Sequence, residues 1–205
     1  MSTPPLKEKF IPLYSIGYAT KPIDLFITQL KALNIDVMVD IRSVPFSKVF
    51  HDYHQGNLKL TLKRHSIAYV YLGEELGPRT KDLAHYNDAG QVQFKRLMTS
   101  TLFKAGLKRL FRGLDKGFSI ALCCAEKDAA TCHRSLLVGK ALRSQYGIDL
   151  QHIDHKGTIE FQTQLERRLL ALTNTPVDMI TSEDEATEIA YQRQCEAYAY
   201  RRPGR

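Results

Sequence analysis

The chain has 205 residues, of which 43% are hydrophobic and 25% charged, and this is typical of one globular domain with extensions. No apolar run approaches the roughly 20 residues of a membrane-spanning helix, and the first ten residues lack the apolar stretch of a secretion signal. We therefore expect a cytoplasmic protein with no membrane partner. The net charge of +7 allows an anionic partner, either a small molecule or nucleic acid, but also suits an ordinary basic enzyme.

The cysteine pattern argues against a disulfide framework. Three of the four cysteines fall close together at positions 123, 124 and 132, and Cys195 stands near the end. Adjacent cysteines rarely bridge each other, so reduced thiols in a cytosolic compartment are the simpler interpretation.

The first predicted elements form a strand–helix–strand unit. The apolar run 11–16 predicts a strand, the helical spacing of apolar residues predicts a helix over 23–33, and the apolar run 37–41 predicts a buried strand. Such units build parallel sheets with right-handed connections.

The middle of the chain continues the alternation. After a loop at 45–56, Leu58 and Leu62 indicate a short helix that runs into a strand at 68–72. A polar loop at 73–90 follows. One long helix is predicted over 92–114, and Gly117 is expected to end it.

The remaining alternation completes the expected fold. A strand at 118–123, a helix at 132–146 capped by Gly147, and a last strand at 148–153 are predicted. The pattern is typical of an α/β fold: a doubly wound, mainly parallel sheet with helices on both faces.

The C-terminal part of the chain is interpreted as a helical extension of this single domain. A further helix is predicted over 159–172, a linker over 173–176 and another helix over 183–200. We accordingly divide the chain into an α/β domain at 10–172 and a linker with a helical tail at 173–205. The tail is expected to be dispensable for folding.

Polar and reactive residues follow several of the predicted strands. Because ligands bind at the carboxyl ends of parallel strands, we expect these residues to share one site. The candidate catalytic residues are Cys124, Glu126, Cys132 and His133, and the candidate substrate-binding residues are Tyr18, Asp40, Arg42 and Arg134.

The segment 124–134 is the richest of these, because it runs from a strand end into a helix start. Asp128 or Thr131 can cap that helix, and free N–H groups there favour anions and lower a thiol pKa. Arg134 adds a planar fork for phosphate or carboxylate. Purely structural roles stay open for two of these residues. Cys124 could be a small buried apolar residue, and Glu126 could form a structural ion pair with Arg134.

Several known motifs do not fit this segment. The interval from Cys124 to Arg134 is too long for a cysteine phosphatase, and the glycine patterns of nucleotide-binding loops are absent. Zinc is possible in principle, but consecutive helical residues point roughly 100° apart, which separates Cys132 from His133. We therefore expect no metal and no cofactor.

The order of these residues resembles domain-of-unknown-function family 488 across about residues 12 to 155. The motifs that carry the resemblance are Ile16-Gly17-Tyr18, Val39-Asp40-Ile41-Arg42-Ser43 with Pro45, Ile67-Ala68-Tyr69 with Leu72, Leu76 and Gly77, and Cys124-Ala125-Glu126 followed by Cys132-His133-Arg134. The resemblance implies a compact α/β domain and supports the eight candidate residues as signature positions, without supplying a reaction. Cys123 departs from the pattern, and the segment after Thr173 is not covered.

Three functions remain open from sequence. The first is an enzyme acting on a phosphate-bearing substrate, such as a nucleotide or nucleic-acid component, with Cys124 as nucleophile or Glu126 as general acid/base. The second is a non-catalytic nucleic-acid-binding module that uses the basic stripe, defined as Lys104, Lys108, Arg112 and Lys116. The third is sulfur transfer or thiol redox chemistry. The oligomeric state is not indicated.

Overall fold

The fold centres on one six-stranded sheet, seen in a computed structural model that describes residues 12–178 and 181–203. The sheet order is β3-β2-β4-β1-β5-β6. The strands are β1 (Leu13–Gly17), β2 (Val37–Asp40), β3 (Ala68–Tyr71), β4 (Ile120–Cys124), β5 (Gln151–Ile153) and β6 (Ile159–Phe161). Strands β1 to β5 are mutually parallel, and β6 runs antiparallel to β5 at the edge.

Helices cover both faces of this sheet. The helices are α1 (Ile23–Ala32), α2 (Gln55–Arg64), α3 (Gly73–Leu76), α4 (Phe94–Thr99), α5 (Thr101–Asp115), α6 (Lys140–Tyr146), α7 (Gln162–Leu172) and α8 (Glu183–Tyr198). Helices α1 and α2 pack on one face, while α4 to α8 contribute to the core on the other. The predicted doubly wound α/β fold is therefore confirmed.

Strand β4 shows how the sequence specifies a double-sided core. All five of its residues are buried. Leu122 and Cys124 belong to one core cluster, whereas Ala121 and Cys123 belong to the other. Successive side chains of a strand point to opposite faces, so a continuous apolar run fits a strand covered by helices on both sides.

A crevice forms where β1 and β4 lie side by side. These two strands are paired in parallel, with Gly17 opposite Cys124. The chain leaves β1 towards α1 on one face, and leaves β4 towards α6 on the other. Loops that separate in this way open a crevice at the carboxyl edge of the sheet, where ligands of such folds bind.

Four predicted elements differ from the structure. The single helix at 92–114 is two helices, because Ser100 ends α4 and caps α5 by accepting a hydrogen bond from Phe103 N–H. The polar loop at 73–90 begins with the short α3. The helix expected at 159–172 begins only at Gln162, after β6, and the strand expected at 148–153 is shortened to β5.

The helix expected over 132–146 is also irregular. Cys132 is extended, with φ −126° and ψ 143°, and a π-helix spans Arg134–Gly139 before α6. Such wide turns are frequent at functional sites. Gly147, with φ +68°, ends α6 in the left-handed region as predicted.

Helix α8 contributes to the core. Ala190 and Tyr191 are buried in the cluster that includes α6 and α7, and Gln194 Nε2 donates to the Ala130 carbonyl. The division of the chain at residue 173 stays a prediction, but this packing changes what we expect from truncation. Ile11 of the first predicted strand and Phe10 at the predicted domain start lie outside the described residues.

None of the helices in the described part of the chain combines the length and apolar character that crossing a bilayer requires.

Candidate functional site

The candidate site is a cleft of about 490 Å³ at the carboxyl edge of the sheet. Its walls include Tyr18 after β1, Arg42 after β2, and Cys124, Glu126 and His133 at and after β4. The expectation that Tyr18, Arg42 and Cys124 share one sheet edge is confirmed. The volume lies in the ordinary range of small-molecule sites.

A glycine lets the two central loops approach each other. A Cβ atom on Gly17 would lie 1.9 Å from the Glu126 carbonyl oxygen and 2.8 Å from Arg134 Nη1. Any other residue would push the β4 loop away from β1.

Four side chains meet on the β4 side of the cleft; we call Cys124, Glu126, Cys132 and His133 the thiol cluster. Glu126 Oε2 lies 2.8 Å from Cys124 Sγ and 3.0 Å from Cys132 Sγ. His133 Nδ1 lies 3.4 Å from Cys124 Sγ and 4.0 Å from Cys132 Sγ. All four potential ligand atoms fall within 4.8 Å of one another.

The extended backbone at Cys132 explains why neighbouring residues meet here. The sequence predicts one helix over 132–146, on which the side chains of Cys132 and His133 would diverge. Cys132 instead precedes the π-helix, so both side chains reach the same point. The predicted divergence of the Cys132 and His133 side chains is therefore wrong.

His133 is oriented by a bond on its far side. Its Nε2 lies 2.9 Å from the Ile41 carbonyl oxygen, to which it donates. In the neutral ring this leaves the lone pair of Nδ1 facing the two sulfurs. The ring is therefore aimed at the cluster, with 8% of the residue exposed.

The surroundings shift the pKa values of the two cluster thiols in opposite directions. Burial, then the neighbouring Cys132, holds the pKa of Cys124 well above its ordinary value. Burial opposes ionisation of Cys132 as well. The hydrogen bond from Cys124 and the positive charge of Arg134 outweigh burial and hold the pKa of Cys132 well below its ordinary value. These surroundings thus favour negative charge on Cys132 over Cys124.

The other two cluster members respond to that charge. Burial lowers the pKa of His133, but the hydrogen bond and charge of Cys132 raise it overall. Burial and the negative Cys132 raise the pKa of Glu126. Glu126 is exposed as a residue, since it borders the cleft, while its Oε2 faces the sulfurs.

Arg42 forms a rigid wall of the cleft. Its Nε and Nη2 donate to the two oxygens of Asp40 at 2.8 and 2.6 Å, and its Nη1 donates to the Tyr53 carbonyl at 2.8 Å. The guanidinium also lies 5.0 Å from the Tyr18 ring centre. Because these donors are engaged, the arrangement favours a positioning role for Asp40 and Arg42.

Arg134 holds the loop after β4 from behind. It is 1% exposed, and its Nη1 and Nη2 donate to the carbonyls of Glu126 and Lys127 at 2.6 and 3.1 Å. The ion pair considered between the Glu126 carboxylate and Arg134 is not present among the described residues. Arg134 lines a neighbouring cavity and is not a wall of the cleft.

The rim of the cleft carries residues that sequence reasoning missed. Arg79 and Lys48 are exposed there and have no ion pair within 12–178 or 181–203. Phe46 and Tyr198 are also exposed at the rim, and Tyr200 lies beside Arg79. No spacing marks these loop and tail residues in the sequence, because the fold alone brings them together.

The other two cysteines lie outside the cluster. Cys123 packs in the core on the opposite face of the sheet, and burial raises its pKa to about 12. Cys195 on α8 is partly buried, and its pKa is likewise raised to about 12 by burial.

The geometry supports proton transfer and soft-metal binding at one wall of an accessible cleft. The family model of DUF488, described as a domain of unknown function, matches residues 22–141, more than half of the chain. Neither the curated proteins nor the solved structures contain a match.

Proposed function

The chain belongs to the DUF488 family, and from the chemistry of its cleft we propose that it is an enzyme that acts on a phosphate-bearing, nucleotide-like substrate. The observation that carries the proposal is one accessible cleft with the exposed cations Arg79 and Lys48 at its rim and three members of the thiol cluster at its wall. Convergent polar groups with perturbed acidities in a cleft are typical of active sites.

The rim supports binding of a phosphate next to a planar ring. Arg79 and Lys48 supply positive charge, and an arginine fork matches phosphate oxygens well. Phe46 is 56% exposed and Tyr198 is 54% exposed. Aromatic side chains left open to solvent beside a basic rim suit stacking against a nucleobase.

Glu126 is the group best placed to move a proton. It combines an exposed position in the cleft with a pKa that burial raises above the ordinary carboxyl value, which is the direction that favours a carboxyl group as acid or base. The reaction class we assign is hydrolysis of the phosphate ester. Glu126 accepts a proton from water as the water oxygen bonds to phosphorus and the ester P–O bond breaks, and Glu126 then gives that proton to the departing alcohol.

Calorimetric titration tests this proposal. The ligands are a nucleoside monophosphate, its nucleoside, a pentose phosphate and inorganic phosphate. We expect the monophosphate to bind most tightly, and Arg79→Ala to weaken it about 10-fold or more, since charge-assisted contacts contribute about 1.5–3 kcal/mol. Glu126→Gln should retain binding and lose turnover of the substrate.

Arg64→Ala is the matched control, because Arg64 is exposed at the end of α2 and does not line this cleft. It should bind the monophosphate like the wild type. Equal binding by wild type and Arg79→Ala would reject the proposed phosphate position, and absence of binding by all four ligands would reject the substrate class.

A second candidate function rests on the basic stripe. Its four cations are all exposed, and no ion pair engages them in the described part of the chain. If this face binds nucleic acid, affinity should fall steeply with salt, because bound counterions are released. A variant with Lys104, Lys108 and Arg112 changed to Glu should then lose binding, and unchanged binding would remove this candidate.

A further inference from the structure

The thiol cluster has the composition of a metal centre, and we propose that Cys124, Cys132, His133 and Glu126 bind a Zn²⁺ ion. The inference deepens the proposed function at the same site, but it stands on geometry that does not depend on any substrate. Two thiolates, one imidazole and one carboxylate are donors that zinc accepts in proteins.

The spacing of the donors fits one ion. Zinc bound tetrahedrally at about 2.3 Å from sulfur and about 2.0–2.1 Å from nitrogen or oxygen places neighbouring sulfur and nitrogen or oxygen donors roughly 3.6 Å apart. The four sulfur-to-nitrogen and sulfur-to-oxygen distances here are 2.8, 3.0, 3.4 and 4.0 Å. They lie on both sides of the ideal value, so small side-chain shifts complete the site.

The surroundings of the cluster are those of a metal ligand set. His133 donates its Nε2 hydrogen to the Ile41 carbonyl, which is the usual way a protein fixes the ring of a ligating histidine. The backbone N–H of Arg134 lies 3.4 Å from Cys132 Sγ and donates to it. A donated hydrogen bond stabilises a thiolate in its ligating form.

The position of the cluster indicates an open centre. Glu126 is exposed in the cleft, whereas Cys124 and Cys132 are each 1% exposed and His133 is 8% exposed. A structural zinc site is closed by its ligands, while a catalytic one leaves a coordination position to water or substrate. Here Glu126, exposed in the cleft, can yield its position to a water and then accept the proton of that water.

Metal content of the full-length protein is the direct test. We expect one Zn²⁺ per chain by mass spectrometry of the protein purified without chelator. After removal of the metal, Co²⁺ should restore a spectrum with sulfur-to-cobalt charge transfer and the intense visible bands of a tetrahedral site. Substoichiometric Zn²⁺ after reconstitution, or a Co²⁺ spectrum without thiolate bands, would overturn the proposal.

The adjacent cysteine provides a matched control. Cys123→Ala changes the neighbouring residue of β4, whose side chain packs on the opposite face of the sheet, and Cys195→Ala changes the thiol on α8. Both should keep the metal. Cys132→Ala should lower Zn²⁺ affinity more than 100-fold, beyond the loss of about 10–100-fold that removal of an outer-shell partner causes.

Folding is checked separately. If Cys132→Ala fails to fold, His133→Gln and the Co²⁺ spectrum of the wild type carry the test. Equal affinity of Cys132→Ala and Cys123→Ala, or a Cys124–Cys132 disulfide in the freshly purified protein in place of metal, would reject the centre. The substrate proposal fails independently: a zinc-loaded protein that ignores every phosphate ligand keeps the metal centre and loses the proposed function.

Discussion

His133 and His152 are both buried histidines on the same side of the sheet, but only His133 lines the candidate cleft. His152 accepts at Nδ1 from Ser15 Oγ at 2.6 Å and donates from Nε2 to Gln162 Oε1 at 2.8 Å. Gln162 in turn donates to Glu166. We call these four residues the sealed network, because each of them is no more than 2% exposed.

The sealed network carries a serine–histidine pair, the usual sign of nucleophilic catalysis. Its serine is completely buried, and an amide stands where a triad has a carboxylate. The thiol cluster also contains such a pair, Cys124 and His133 at 3.4 Å, but here Cys124, Glu126 and His133 line an accessible cleft. Access and unmet ligand capacity therefore separate a site from a structural network better than residue types do.

Removal of α8 should have the largest effect on stability, because α8 packs against the segments on both sides of Cys132 in the thiol cluster. Gln194 bonds to Ala130 in the cluster loop, Tyr191 bonds to Leu136 in the π-helix, and Tyr198 lines the cleft. We expect truncation after Thr173 to lower the free energy of unfolding by about 5 kcal/mol or more, comparable to the whole stability of a small domain. Chemical denaturation measures this.

The control truncation removes only residues 203–205 and should unfold like the full chain. A cooperative, undiminished transition after removal of residues 174–205 would instead support the division of the chain at residue 173.

The next effect concerns the wall of the cleft. Asp40 is fully buried and forms the only carboxylate contact of Arg42 among the described residues. Asp40→Asn should lower the free energy of unfolding by about 3–5 kcal/mol, because it leaves a buried guanidinium without a counter-charge. Denaturant titration of the variant measures it.

Asp128→Asn is the matched control, since Asp128 pairs with Arg168 at the surface and the amide can still cap Ala130. It should cost no more than about 1 kcal/mol. Equal costs for the two variants would show that burial of the Asp40 pair is unimportant.

Sequence patterns predicted the sheet well, because buried parallel strands are continuous apolar runs and their order along the chain is constrained by handed connections. They also located the thiol cluster, since residues after parallel strands share one edge. The failures were local. The extended backbone of Cys132 and the cap at Ser100 depend on packing that no periodicity records.

The rest of the cleft could not be predicted for a different reason. Arg79 and Lys48 lie in loops, and Tyr198 and Tyr200 lie near the end of the chain, far in sequence from the motif that begins at Cys124. Only the tertiary fold brings these residues to one rim. The same holds for the sealed network, whose serine and histidine stand 137 residues apart.

Acid should distinguish the two histidines. Burial, then the positive Arg134, lowers the pKa of His152 to about 4. The unfolded chain therefore binds more protons than the folded one between pH 4 and about 6.5, so stability falls as the pH drops through this window. The integrated loss is on the order of 3 kcal/mol. The pKa of His133 is raised instead, so its contribution to the free energy of unfolding is lost as the pH rises above that window.

Stability measured from pH 7 to pH 4 in wild type and His152→Gln isolates this contribution. The variant should show a shallower decline, while the carboxylates titrate alike in both proteins. Parallel pH profiles would mean that His152 is protonated in the folded chain, contrary to its two hydrogen bonds.

The smallest predicted effect probes how α8 is joined to the π-helix that follows the thiol cluster. Tyr191 donates its O–H to the Leu136 carbonyl at 2.8 Å, and its ring also packs beneath Lys140 Nζ at 4.6 Å. Tyr191→Phe keeps the ring and removes only the donor, so we expect a loss of about 1 kcal/mol in the free energy of unfolding. Tyr146→Phe, at an exposed ring with no recorded hydrogen bond in the described residues, should change stability little. Equal losses for Tyr191→Phe and Tyr146→Phe would show that the hydrogen bond from α8 to the Leu136 carbonyl does not contribute to stability.

A loss of stability in Tyr191→Phe accompanied by weaker Zn²⁺ binding would show that this hydrogen bond helps to set the geometry of the thiol cluster.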